Sequence, residues 1–379
     1  MAVRRPGKLA RMEPSPSAAR SLVLGGQALP LISPARVYLC GITPYDVTHL
    51  GHAATFVWAD AATSIMRLAG VETVVCRNVT DIDDVLTQAA AKRGSHYDEF
   101  AVTQEYLFEQ DMSALRVRRP SYAPRARHYV DQVIQLALAL LESGHAYHRD
   151  GQVYFRGFPA IPGGEPASAD AHGELSGDSS GVEPYDVAVW RSSGPDDPTW
   201  PSPWGLGRPG WHAECAAIAV SVLGASIDLV AGGADLAFPH HTYQAALVEA
   251  ATGVRPFARA RLAAGTVRVD GDKMAKSTGN LVLVGDLLRE HSPAAIRLLL
   301  LDRGWRDPWD FRLQDLVAAE GRVERIYSAA GRATASAGAV EAVRAALLRE
   351  LDVPTALDVA EEAGGHAARL VLRTLALDS

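Results

Sequence analysis

The chain has 379 residues, 48% hydrophobic and 21% charged, the balance of a globular protein long enough to bury a sizeable core and divide into more than one unit. Acids outnumber bases, 44 against 37, and this net charge of −7 argues against a long nucleic acid as the main partner. Cys40, Cys76 and Cys215 are too few and too far apart for a disulfide framework. No apolar run approaches the roughly 18 residues of a membrane span, and no apolar segment follows Arg4, Arg5, Lys8 and Arg11 as in a secretory leader, so the expectation is a cytoplasmic protein with no membrane partner.

Residues 1–33, rich in Pro, Ser, Gly and Arg, read as a partly ordered arm with Leu22-Val23-Leu24 as a short edge strand. Val37-Tyr38-Leu39-Cys40 then has the apolar and aromatic bulk of a buried strand, and Gly41 and Pro44 punctuate a tight loop. A helix follows, capped by Thr48 or Asp46, with His49 and His52 in its first turns and Gly51 leaving room for a close approach. A helix N-terminus at the carboxyl end of a strand attracts phosphate, and imidazoles placed there can donate to its oxygens. Helical spacing runs on to Leu68, and residues 72–76 read as a second strand. Strand–helix–strand at this spacing implies a parallel sheet with its ligand sites at the strand ends, which brings Asn78 and Thr80 beside Cys40.

Helices are expected over 84–93, 98–115 and 127–141, and a strand over 152–155. Residues 157–188, rich in Gly, Pro, Ser, Ala and Asp, read as a long flexible loop. A helix from Trp211 through Val222, a strand over 227–230 ahead of Gly232-Gly233-Ala234-Asp235, and a helix opened by Phe238-Pro239-His240-His241 come next. A strand at 267–269 leads to Lys273-Met274-Ala275-Lys276-Ser277. Only four of the 37 basic residues are lysine, and two of those fall in this five-residue window bracketed by Gly271 and Gly279, a clustering that asks for a reason, although taken alone the window reads as a solvated surface loop. From Leu313 onward the Ala-, Leu-, Glu- and Arg-rich pattern reads as a small helical bundle.

Cys40 with His49-Leu50-Gly51-His52, Gly207-Arg208-Pro209-Gly210-Trp211-His212-Ala213-Glu214-Cys215, Phe238-Pro239-His240-His241 and the lysine motif occur in one order over about residues 36–311. In this the chain resembles the class I cysteine-activating enzymes, which comprise cysteinyl-tRNA synthetase and the mycothiol-pathway ligase that joins cysteine to the amine of glucosaminyl-inositol. Thr43-Pro44-Tyr45-Asp46, residues 48–55 and residues 279–284 look most like the second branch. About 100 residues follow Lys273, fewer than the tRNA enzyme's further anticodon-reading region would take.

The resemblance implies an α/β protein with the class I synthetase-type Rossmann-like nucleotide-binding fold. Its parts would be an arm (1–33), a catalytic domain (34–311) with a reduced connective insertion at about 116–200, and a C-terminal helical bundle (312–379). It implies one zinc ion on Cys40, Cys215 and His240, with the fourth tetrahedral position left to the substrate thiol. His49, His52, Lys273 and Lys276 would act on ATP, which brings Mg²⁺ as its companion. Cys40, Gly41, Ile42, Thr43, Thr55, Asn78, Val79, Thr80, Trp211, Gly233, Ala234, Asp235 and Val267 would line the cysteine and adenylate sites. Asp235 would take the ammonium or the ribose, Val267 would sit near adenine, and Trp211 would wall the cysteine pocket or belong to the core.

The sequence departs from the family in four places. Gln244 stands where the tRNA enzyme has a glutamate ligand, and could be a helix-surface residue; Ala275 replaces the usual serine, Ala263-Ala264 stand where a histidine is usual, and no arginine–glycine–glycine element occurs in 157–199. The expected activity is formation of cysteinyl-AMP from L-cysteine and ATP and transfer to a small amine acceptor, glucosaminyl-inositol being favoured. Another amine, then tRNA charging, then a non-catalytic paralogue are the alternatives. A monomer is expected, and tRNA is not expected as a partner.

Overall fold

The computed structural model describes residues 21–45, 47–157, 183, 185–194, 197–275 and 278–378. Lys276 and most of the segment expected to be a loop at 157–188 lie outside these. Leu22 and Leu29, both buried, tie the first described segment to the body: β1 (Ser21–Leu24) and β2 (Gln27–Pro30) pair as an antiparallel hairpin, so this part of the expected arm is ordered.

The next strand, β3 (Ala35–Ile42), leads to α1 (Leu50–Leu68) and on to β4 (Thr73–Val79), which lies parallel to β3 with Val37 opposite Val75 and Tyr38 opposite Cys76. Helices α2 (Asp84–Lys92), α3 (Tyr97–Ala114) and α4 (Val130–Glu142) follow. An antiparallel insertion is then built from β5 (Ala146–Arg149), β6 (Gln152–Phe155), β7 (Val187–Ser192), β8 (Trp200–Ser202) and β9 (Gly205–Pro209) in the order β5-β6-β7-β9-β8.

The chain re-enters the central sheet through α5 (Trp211–Leu223) and β10 (Ile227–Gly233). A kinked turn over Ala237–His241 opens α6 (Thr242–Thr252), and β11 (Ala258–Ala264) completes a four-stranded parallel sheet of order β11-β10-β3-β4. The order reverses between β3 and β10, and in an open α/β sheet the crevice at such a reversal is the ligand site. Beyond it come β12 (Val267–Val269), β13 (Asp272–Lys273), α7 (Val284–Glu290), α8 (Pro293–Leu301), β14 (Trp309–Asp310) and the bundle α9 (Leu313–Ala330), α10 (Ala337–Leu348), α11 (Val353–Ala363) and α12 (Gly365–Thr374).

Side chains of β3 alternate between the two cores, as the two-residue period of a strand requires. Val37 and Leu39 face α1 and the C-terminal helices, while Tyr38 and Cys40 face α4, α5 and the insertion. That alternation sends Cys40 to the same side as the helix carrying Cys215. No described helix is long and apolar enough to cross a membrane.

Candidate active site

The carboxyl end of β3 is shaped by Asn78. A Cβ on Gly41 would lie 1.6 Å from the Asn78 carbonyl oxygen, so only glycine lets the two strand ends run this close. The Asn78 side chain faces inward: its Oδ1 accepts from the Tyr38 hydroxyl (3.0 Å) and the Gly41 N–H (2.9 Å), and its Nδ2 donates to Thr80 Oγ1 (3.0 Å). Thr80 in turn donates its backbone N–H to Ile42 (2.8 Å). Asn78 thus braces the residues of the cleft wall from behind.

At the start of α1 the cap is His49, and Thr48 is buried beneath it. His49 Nδ1 accepts from Gly51 N–H (3.1 Å), and His52 Nδ1 accepts from His49 N–H (3.4 Å). This network assigns the hydrogen of each neutral ring to Nε2, which makes each ring a donor. The rings stack at 3.9 Å between centroids. Backbone bonds from Leu50 to Val282 (2.8 Å) and from Val284 to Thr48 (3.1 Å) pin the segment 282–284 alongside the histidine turn.

Behind this wall Cys40, Cys215 and His240, all buried, bring one ligand atom each to within 4.8 Å of one another. His240 Nδ1 lies 2.9 Å from His212 Nδ1, and its Nε2 is buried without a hydrogen-bond partner among the described residues. An orphaned imidazole nitrogen beside two sulfurs is what a metal site presents before it is filled. Burial, with His212 and His241 nearby, pulls the His240 pKa well below its usual value and keeps its lone pair available. Hydrogen bonding to Cys40 and then burial push the Cys215 thiol well above its usual value. A divalent cation would reverse that balance and ionise the thiols. Gln244 is fully buried, contrary to a helix-surface position: its Nε2 donates to the Cys215 carbonyl (3.3 Å), and its Oε1 has no hydrogen-bond partner among the described residues.

Asp235 follows the end of β10, and Lys273 reaches it from the facing hairpin with Nζ 2.7 Å from Oδ2. The β12–β13 hairpin turns through Asp270 and Gly271, both at positive φ (53° and 86°), which is a type I′ turn suited to Asp-Gly. Asn280 holds the following segment: its Oδ1 accepts from Ala275 N–H (2.9 Å) and Thr278 Oγ1 (2.7 Å), and its Nδ2 donates to the Lys273 carbonyl (3.3 Å).

These parts enclose a cleft of about 510 Å³. Of the residues expected from the sequence, Cys40, Gly41, Ile42, Thr43, His49, His52, Thr55, Thr80, Trp211, Gly233, Asp235, Val267 and Lys273 line it. Asn78, Val79, Ala234, Cys215 and His240 do not. Trp211 is both cleft wall and packing partner, stacked on His240 at 4.2 Å. Tyr45, Leu236, Thr266, Met274 and Leu281 also line the cleft and were not expected; only their place beside the motifs could have suggested them.

A cleft at the reversal of a parallel sheet, with imidazole donors at a helix start on one side and a lysine hairpin on the other, defines a nucleotide-binding catalytic domain of the class I aminoacyl-tRNA synthetase type. The fold is that of solved class I synthetases. Mycobacterium tuberculosis methionyl-tRNA synthetase in complex with methionyl-adenylate matches with a TM-score of 0.60 at 17% identity, over 91% of this chain and 82% of that one. An Agrobacterium radiobacter leucyl-tRNA synthetase matches with a TM-score of 0.65 at 11% identity, over 91% and 83%. The family model described as "tRNA synthetases class I (C) catalytic domain" covers residues 32–321, and the chain belongs to that family. Within it, the chain is 43% identical to the L-cysteine:1D-myo-inositol 2-amino-2-deoxy-alpha-D-glucopyranoside ligase of Streptosporangium roseum, over 86% of this chain and 83% of that one. The ligase of the same name from Kribbella flavida is 41% identical over 91% and 89%.

Proposed function

We propose that this chain is an ATP-dependent, AMP-forming ligase that activates L-cysteine as cysteinyl-AMP and transfers it to the amine of 1D-myo-inositol 2-amino-2-deoxy-alpha-D-glucopyranoside, a step of mycothiol biosynthesis. The observation that carries the reading is the Cys40–Cys215–His240 cluster directly behind the histidine-lined cleft, in a chain 43% identical to a ligase of that name.

His49 and His52 present Nε2–H groups at the positive end of α1, where the ATP phosphates gain charge as the anhydride forms. Lys273, on its hairpin, adds a cation over the leaving pyrophosphate, and Mg²⁺ would accompany the nucleotide. Asp235 receives the cysteine α-ammonium, exchanging its partner Lys273 for the substrate. Their pair is about half exposed on both sides and opens at a cost of about 0–1 kcal/mol. Cys40, Cys215 and His240 would hold zinc, which when bound supplies a soft Lewis acid that favours a thiol over the hydroxyl of serine. Trp211 and Thr43 close the pocket around the amino acid. The acceptor amine then attacks the mixed anhydride, forming an amide and releasing AMP.

The test is mass spectrometry of products from cysteine, ATP and the amino-sugar acceptor, alongside cysteine-dependent exchange of pyrophosphate into ATP. The expected result is exchange together with the cysteinyl amide of the acceptor. Exchange with only a tRNA or another amine as productive acceptor would move the reading to a different ligase, and absence of exchange would leave a binding protein.

A further inference from the structure

The cluster behind the cleft includes a histidine that neither lines the cavity nor ranks among the three ligands. His212 Nδ1 lies 2.9 Å from His240 Nδ1, and both side chains are buried. Two ring nitrogens at that separation share a single hydrogen, so one donates and the other accepts. An imidazole that offers one nitrogen as a lone pair carries its hydrogen on the other. Among the described residues His240 Nε2 is the nitrogen without a partner, so Nδ1 is the one that must hold the hydrogen when Nε2 serves as ligand.

We propose that His212 is the positioning residue of this metal site: its Nδ1 accepts the His240 Nδ1–H and thereby fixes both the tautomer and the ring orientation in which His240 Nε2 meets the two cysteine sulfurs. The inference rests on the metal-binding reading of the cluster given above. The acceptor is itself held in place. The His212 ring lies nearly parallel to Tyr243 (10°, centroids 5.4 Å apart), and the Tyr243 hydroxyl donates to the Tyr185 carbonyl (2.5 Å) ahead of β7. His240 is clamped on another side by Trp211 (26°, 4.2 Å). His212 and Trp211 are adjacent at the start of α5, while Tyr243 lies one turn beyond His240 at the start of α6. The two helices that supply Cys215 and follow His240 therefore also supply the rings that aim the imidazole.

A role in aiming the ligand and a role in packing predict opposite orders for two substitutions. His212→Phe keeps a ring on Tyr243 but removes the acceptor; His212→Asn loses the ring but keeps an oxygen near the Nδ1 position. Zinc affinity is measured on the full-length chain by competition with a chromophoric chelator, with thermal unfolding of each apoprotein recorded in parallel. Native protein is expected to bind one zinc per chain. His212→Phe should bind about 10–100-fold more weakly, and His212→Asn should stay within about threefold of native, the loss of the ring notwithstanding.

Zinc binding by the Phe variant equal to native, or an Asn variant as weak as Phe, overturns the positioning role while leaving the metal site standing. Native protein that takes up no zinc overturns both. Should the Phe variant fail to fold, the Asn variant decides: affinity near native upholds the role, and a tenfold loss ends it.

Discussion

At the residue scale the site depends on contacts too close for substitution. With a Cβ at Gly41 only 1.6 Å from the Asn78 carbonyl, Gly41→Ala must part the ends of β3 and β4. An overpacked site of this kind costs about 1–3 kcal/mol, read as a lower urea midpoint, and pyrophosphate exchange should fall more steeply than stability because Cys40 and Ile42 move with the backbone. Cys76 gives a second residue-scale expectation. Burial first, and the neighbouring Cys215 second, raise its thiol to about 12, so at pH 8 it stays protonated and unreactive. Iodoacetamide should label Cys76 only after unfolding, and labelling of native protein at the rate of an exposed thiol would contradict the burial. It was the family resemblance, not spacing, that singled out Cys40, Cys215 and His240, which the fold brings together from three distant segments. The bracing roles were not legible. Asn78 reads as a ligand contact until its amide is found turned inward, and His212 reads as part of a motif until its Nδ1 is found against His240. The His49 cap was hidden by the ordinary preference for Thr or Asp at that position.

At the element scale, Lys273, Ala275 and Thr278 are tied together by one side chain. Asn280 bonds the Ala275 N–H, the Thr278 hydroxyl and the Lys273 carbonyl, so it fixes these three residues relative to one another. Asn280→Ala should leave thermal stability nearly unchanged, because two of its three contacts are exposed, yet lower kcat/KM for ATP by about tenfold, the rate equivalent of about 1.4 kcal/mol of lost positioning. Initial-rate measurements over a range of ATP concentrations check this, and an unchanged kcat/KM would show that the loop finds its path without the brace. The elements themselves were legible where apolar bulk marked them: β3, β4 and β10 have it, and α1 and α5 carry unmistakable helical spacing. β11 was not, since Ala258–Ala264 holds alanine, arginine and a single leucine, with no β-branched residue to betray a strand. The short strands of the insertion were mostly missed because their order comes from pairing with one another, which no local pattern records.

At the scale of the whole molecule, one buried cation joins segments far apart in sequence. Arg297 in α8 is fully buried; it donates to Asp60 Oδ2 in the middle of α1 (2.8 Å), to the Leu115 carbonyl at the end of α3 (2.8 Å) and to the Leu375 carbonyl at the end of α12 (2.9 Å). Arg297 thereby ties these three elements into one register, and α1 is the helix whose first turn carries His49 and His52. The sequence offered no sign of this, because an arginine in Ala-Ala-Ile-Arg-Leu-Leu reads as a solvent-exposed break in an apolar helix. Taking one charge from a buried pair leaves the other uncompensated, which costs about 3–5 kcal/mol, whereas replacing both by apolar groups of similar volume is often close to neutral. Arg297→Met is therefore expected to lower the unfolding free energy by about 3–5 kcal/mol, and Asp60→Leu with Arg297→Met to recover most of that loss. The apolar pair cannot restore the bonds to Leu115 and Leu375, so the double variant should regain stability more fully than it regains pyrophosphate exchange, its α1 being packed but no longer tied to the ends of α3 and α12. Urea unfolding of the two single variants and the double variant gives the coupling energy directly. A single-variant loss below about 1 kcal/mol, the range of an exposed pair, would mean that α1 keeps its place without this pair.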